Sequence, residues 1–381
     1  MAVRAKSNEH VRVMVASTAV LVMASAAFAQ PAPRPITLGG GVTGQAASYV
    51  PNIPLSARAN QNVGGSAGLV YAHGMEFVQL PANAMAPYVP PQFGGAFQIG
   101  GNPQAFAIGR FEVPRAVWVE FYDALLHVND NSAPGQGVAW AQFPSGGRPT
   151  NSPGQEMRPV GGISWRTAAI LCNWLHNDRQ WTRDAFASGA YDISTFGWDP
   201  VIGRRFTDQR EASPGARFRL PTRNEWVTAV HGDPNGNGEG QARWWQQPLT
   251  SDAAPIYGLP GAIVNGQEAQ ANAGTGNSGM LLGSYATAQT PWGLLDAAGG
   301  MTEWSETVDE ERFTGINYRS NDGSSWFRVS TSDQILGYAG EAPSVPDWEF
   351  GVRLVYSVPS PSSAVLLGLS CVVVTPRNRR R

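Results

Sequence analysis

Few side chains in this chain can donate an electron pair, hold a metal or move a proton. In 381 residues there are two cysteines, Cys172 and Cys371. They lie far apart, and Cys371 sits in an apolar C-terminal segment, so neither a disulfide framework nor a multi-cysteine zinc or iron–sulfur site is expected. Cys172 falls on the apolar face of a predicted helix, where a free thiol commonly acts as a small buried hydrophobe. Beyond the first 29 residues the histidines are His73, His127, His176 and His231, with no close H-x-x-x-H pair to start an iron or zinc site. His127 and His176 fall near the ends of predicted helices, where the helix dipole alone favours them. Residues 233–239 have the composition of a calcium loop, but the spacing departs from D-x-[DN]-x-[DN]-G and reads as a solvated turn. Asp309, Glu310 and Glu311 form an acidic run of the kind that usually lies in a solvated loop. Trp244, Trp245, Trp326 and Trp348 are candidates for exposed platforms that stack on sugars, although tryptophan more often packs in a core.

Three helices are predicted to position these groups. Residues 114–126 place Val117, Phe121, Ala124 and Leu125 on one face behind a first-turn Pro114. Ser164 can cap a helix through Leu175 with Trp165, Ala168, Ala169, Cys172 and Leu175 as its apolar stripe. Thr222 and Glu225 form a capping box, and Trp226 and Val230 continue that helix's buried face. Elsewhere short apolar pieces alternate with Gly, Asn and Asp, as in residues 350–356, and Gly and Pro together number 73. The fold class is therefore α+β, loop-rich, with a few short helices and short antiparallel strands. Charged residues make up 15% of the chain and nearly cancel at −2, which argues against a nucleic-acid footprint.

The two ends read as addresses rather than fold. Arg4, Lys6 and Arg12 precede an apolar run, and Ala27-Phe28-Ala29 supplies an A-x-A cleavage site, so residues 1–29 are expected to be a secretory signal peptide. Residues 30–66 are a Gly/Pro-rich linker, 67–356 the globular domain and 357–381 a membrane-directed tail. Within the tail, residues 364–374 would rise only ~16 Å as a helix, short of the ~30 Å hydrocarbon core. Its Pro359-Ser360-Pro361 element, apolar run and terminal arginines resemble the PEP-CTERM sorting signal, with Ser360 in place of the usual glutamate. That resemblance implies an exosortase-type processing enzyme as partner, transient anchoring at the inner membrane, and delivery to the cell surface or outside the cell.

Within 67–356 a series of motifs stands in order: Ile108-Gly109-Arg110-Phe111-Glu112-Val113, Ser164-Trp165, Cys172-Asn173-Trp174-Leu175, Phe218-Arg219-Leu220-Pro221-Thr222 with Glu225-Trp226, Gly293-Leu294-Leu295-Asp296 running to Thr302-Glu303-Trp304, Gly323-Ser324-Ser325-Trp326 and Phe350-Gly351-Val352-Arg353-Leu354. The series resembles the formylglycine-generating, or sulfatase-modifying, enzyme family, whose fold is a loop-rich relative of the C-type lectin fold. The resemblance implies a copper-dependent oxidase with two thiolates five residues apart just after the Gly-Gly-Ser element. Here those positions match Arg328 and Asp333, and no cysteine occurs between Gly315 and Val358. Cu(I) needs soft thiolate or thioether ligands, so neither copper nor sulfatase oxidation is expected. The family's structural calcium would draw on Asn272 and Glu303, but Gly300 replaces an asparagine of that set, and calcium needs six or more oxygens. The expected function is a noncatalytic exported surface or matrix protein whose scaffold binds a glycan or a protein. The alternatives are an enzyme of altered, cysteine-independent chemistry around Arg328 and Asp333, or a purely structural matrix component.

Overall fold

The computed structural model describes residues 68–357 apart from 96, 133–137, 139–152, 202–204, 311–315 and 330. All of these belong to one compact unit, Ala46–Arg381. The expected signal peptide, the 30–66 linker, the tail from residue 358 and Cys371 lie outside the described residues. Among the described residues no helix is long and apolar enough to cross a membrane.

The chain is mixed α/β, as its sequence pattern predicts. An antiparallel five-stranded sheet has the order β1-β2-β3-β13-β4, made of β1 (Leu69–Ala72), β2 (Met75–Leu80), β3 (Phe106–Gly109), β13 (Val355–Tyr356) and β4 (Phe218–Arg219). Phe77, Phe218 and Leu354 of this region share a core with helices α1 (Arg115–Asp130) and α2 (Trp165–His176). Pro114 was expected within the first turn but stands one position earlier, as the extended N-cap of α1, and the helix runs four residues further than its apolar spacing suggests, to Asp130.

Ser164 caps α2 by accepting from the Thr167 N–H. The helix is buried all round from Trp165 to Leu175, more than the predicted stripe. The reason is polar as well as apolar. Arg166, on the face expected to meet solvent, forms a two-pronged pair with Asp208 at 2.6 and 2.8 Å, so its charge is matched inside the protein. Cys172 is buried and free, and burial pushes its thiol far above the usual range. Asp178 and Arg179 at left-handed φ follow the end of α2, ahead of the short α3 (Arg183–Ala187).

Helix α4 (Arg223–His231) carries both arms of the expected capping box, Thr222 serving the Glu225 N–H and Glu225 reaching back to the Thr222 N–H at 2.8 Å. Two two-stranded hairpins follow: β5 (Gly232–Asp233) with β6 (Arg243–Trp244), and β7 (Ile263–Val264) with β8 (Gln267–Glu268). The first contains residues 233–239. There Asp233 accepts from the Asn235 N–H and the Trp245 Nε1–H, the local bonding of a turn.

The second sheet has the order β11-β10-β9-β12, from β9 (Thr302–Glu310), β10 (Asn317–Asp322), β11 (Ala339–Glu341) and β12 (Phe350–Gly351). The short β12–β9 pair is parallel, while the other strand pairs among the described residues are antiparallel as expected. Two indoles lock this sheet to α2: Trp165 Nε1 donates to the Ser305 carbonyl at 3.0 Å, and Trp304 Nε1 to the Ile163 carbonyl at 2.9 Å. Asp309 and Glu310 were expected in a loop but end β9. Asp309 accepts from the Tyr338 hydroxyl, and exposed Glu310 pairs with Arg205 and Arg210.

Candidate functional site

Strand β10 delivers the chain to Gly323, whose φ of +83° turns it into the 324–333 loop. Asp333 closes that loop from within. Its carboxylate accepts from the Ser324 N–H and hydroxyl, both at 2.7 Å, and from the Tyr257 hydroxyl at 3.0 Å. Burial raises the Asp333 carboxyl above its ordinary value, and the Ser324 and Tyr257 bonds pull against that rise.

Arg328 is committed elsewhere. Its Nε donates to Glu349 Oε2 at 3.1 Å and its Nη2 to Oε1, while the Ser325 hydroxyl donates to Oε2 at 2.5 Å. Glu349 is buried but the Arg328 side chain is 62% exposed, so the pair lies at the surface with its acid underneath. Arg328 and Asp333, predicted as neighbours in one site, therefore belong to two separate hydrogen-bonded sets. One offers a guanidinium held by a carboxylate and the other hard carboxylate oxygens, and neither suits Cu(I).

Around Arg328 the surface is aromatic. Phe327 and Trp348 are 4.7 Å apart between ring centroids, and both meet Trp326, at 5.7 and 5.6 Å. Trp348 is 57% and Phe327 46% exposed, while Trp326 beneath them is 9% exposed. The loop 272–282 braces this edge through the Gly274 N–H to the Ser325 carbonyl and the Gly276 N–H to the Trp326 carbonyl, at 3.2 and 2.9 Å. Of the four candidate platform tryptophans, only Trp348 presents a largely open ring. Trp244 is half-buried against Tyr88 and over Gly100, where a Cβ would come within 2.4 Å of the ring. Trp245 is covered by the Arg243 guanidinium at 3.8 Å.

The two calcium candidates border one turn but are already engaged. Asn272 Oδ1 accepts from the Gly300 N–H at 2.7 Å, and its amide donates to the Asn277 carbonyl at 3.2 Å. Glu303 takes the Arg353 Nε at 3.1 and 3.0 Å, the Arg353 Nη2 at 2.8 Å and the Trp226 Nε1 at 2.7 Å. With its oxygens occupied by donors, and no group of three or more His, Cys, Asp or Glu arranged to hold a metal among the described residues, this arrangement does not fit a calcium site.

Several groups that matter here were not singled out from the sequence. Arg353 lies inside a recognised motif, but its bonds to Glu303 and to the carbonyls of Gly109, Arg110 and Leu295 could not be read from it. Glu112 is fully buried, accepts from the Met301 N–H at 2.9 Å, and has an Oε2 without a partner among the described residues. Burial, and then the neighbouring Glu303, hold its carboxyl well above the usual range. Glu349, the anchor of Arg328, had no sequence signal at all.

Residues 95–358 match the family model of the sulfatase-modifying factor enzyme 1-like domain. Solved structures similar to this chain include CarF, with 16% identity over 74% of this chain and 98% of that one, at a TM-score of 0.45. Treponema denticola variable protein 1 is 18% identical over 77% of this chain and 99% of that one, at 0.43. PvdO from Pseudomonas aeruginosa is 14% identical over 78% of this chain and all of that one, at 0.42. No curated protein matches the chain by sequence.

Proposed function

We propose a binding role for this chain, which belongs to the sulfatase-modifying factor enzyme 1-like family. In this reading it is an exported, noncatalytic protein of the cell surface or extracellular matrix that keeps the family scaffold and engages a glycan or a protein through its 324–349 face. The observation that carries the reading is the pairing of Arg328 with Glu349 at one thiol-equivalent position, beside the open rings of Phe327 and Trp348. Loop-rich scaffolds can change such a surface without disturbing the core. An enzyme of altered chemistry would need groups converging on one substrate atom. Arg328 and Asp333 lead to different partners, which favours binding. Export and processing by an exosortase-type enzyme rest on the N-terminal and C-terminal sequence patterns.

A screen of the purified chain against immobilised glycans and candidate surface proteins tests the role. Trp348→Ala and Phe327→Ala should abolish capture while thermal melting stays close to that of the wild type. Capture unaffected by both substitutions would remove the face from the account.

A further inference from the structure

The segments that carry the exposed rings are joined through their backbones to two further loops. Residues 272–282 bond to Ser325 and Trp326, the Leu282 N–H bonds to the Met157 carbonyl at 2.7 Å, and a Cβ on Gly161 would lie 2.8 Å from the Trp348 carbonyl oxygen. The surface around the rings is thus carried by residues 325–329 and 347–349, with 274–282 bonded to the first and 157–161 packed against the others. Its charges come in both signs. Arg158 lies against Gly279, with an Nε that is buried and has no partner among the described residues; Arg328 is exposed and paired with buried Glu349, and half-buried Asp347 precedes Trp348 in the chain. A strongly anionic or cationic ligand would meet like charge at such a rim, whereas a neutral ligand carrying both donors and acceptors would not.

The centre of the surface is apolar and flat-sided. An exposed indole and phenyl ring, tilted 47° to each other, offer faces to C–H groups. Beneath them the Trp326 Nε1–H is buried and lacks an acceptor among the described residues. The indole N–H groups of Trp118, Trp174 and Trp292 share that lack, but Trp326 is the one of the four in ring contact with exposed aromatic residues. A buried donor without a partner has its desolvation cost uncompensated, which marks the ground beneath the two rings as less fully satisfied than the rest of the core.

We infer that this surface binds a neutral, hydroxyl-rich pyranose chain, with sugar C–H faces on Trp348 and Phe327 and hydroxyl groups exchanging hydrogen bonds with the mixed rim. The inference rests on the binding role proposed above and narrows it to one ligand class.

The test titrates the purified chain with neutral hexasaccharides (maltohexaose, cellohexaose, laminarihexaose and mannohexaose) and, separately, with a hexauronate. Indole fluorescence and calorimetry report binding. At least one neutral hexasaccharide should bind, with an affinity that is unchanged when added salt shortens the range of charge interactions. Trp348→Ala should weaken that binding by about tenfold or more, a change of about 1.4 kcal/mol. Trp198→Phe, at an exposed tryptophan outside these loops, should leave it unchanged. A melting curve on each variant separates lost binding from lost folding. Binding confined to the hexauronate and weakened by salt would overturn the neutral class and leave the binding role standing. Absence of binding to every saccharide would overturn the inference, and a folded Trp348→Ala chain that binds all ligands as the wild type does would overturn the binding role with it.

Discussion

The chain contains two arginine–glutamate pairs built from the same chemistry and put to opposite uses. Arg353 and Glu303 are both sealed in the interior. The guanidinium bonds Glu303 and the carbonyls of Gly109, Arg110 and Leu295, tying β3 to the turn before β9 and to the closing segment. Arg328 and Glu349 sit at the rim, with the acid buried and the arginine open. A buried pair with every donor matched specifies geometry, and breaking it leaves an uncompensated charge. A pair half in water costs less to change, so the surface around it can vary without disturbing the core. The difference between the interior pair and the rim pair is therefore one of burial.

The largest effect should come from breaking the interior pair. Arg353→Met leaves Glu303 buried with only Trp226 as donor, and urea unfolding should show a loss of about 3–5 kcal/mol or no folded protein. Next comes the glycine beside it. A Cβ on Gly300 would stand 2.2 Å from Glu112 Oε1, so Gly300→Ala should cost about 1–3 kcal/mol by forced displacement of a buried group.

The interior should also answer to pH. Burial raises Glu306 and Asp322 to about 7 and Asp296 to about 6, so the folded chain retains protons that the unfolded chain has already lost. Stability therefore falls as pH rises from the unfolded carboxylate values through these folded ones. His73 and His231 are lowered by burial to about 4 and about 3, and they act in the other direction as pH drops below their unfolded 6.5. Above about pH 7.5, where the unfolded histidines are neutral as well, the carboxylates act alone. Between pH 6.5 and about 8 the chain should lose on the order of 1–2 kcal/mol, seen as a falling melting temperature that flattens in Asp322→Asn. An unchanged slope in that variant would remove Asp322 as a source.

At the rim the effects shrink. Arg328→Met strips Glu349 of its cation but leaves the Ser325 hydroxyl and admits water, for a loss of about 1–2 kcal/mol. Trp348→Ala should change stability by no more than about 0.5 kcal/mol, since its ring is mostly exposed. A rim variant as damaging as Arg353→Met would erase the distinction.

The same divide explains what could be read in the sequence. Helix caps are local: Ser164 with Thr167 and Thr222 with Glu225 sit three residues apart, and both formed as expected. The β7–β8 hairpin was also written locally, in Asn265-Gly266 at φ +52° and +81°, and went unread. Glu112, Glu349 and Arg353 were not legible because their partners lie far along the chain, as with Met301 for Glu112 and Glu303 for Arg353. Motif order located Arg328 and Asp333 and left open what holds them. It also suggested Glu303 as a calcium ligand, which a long-range arginine instead occupies.

The central claim is that the family scaffold is kept here without the family's thiol chemistry. Its most direct test is to incubate the purified chain with copper, oxygen and a peptide carrying the sulfatase cysteine motif, and to measure aldehyde by mass spectrometry. The account predicts no aldehyde above a protein-free control. Multiple turnovers by the purified chain would contradict it.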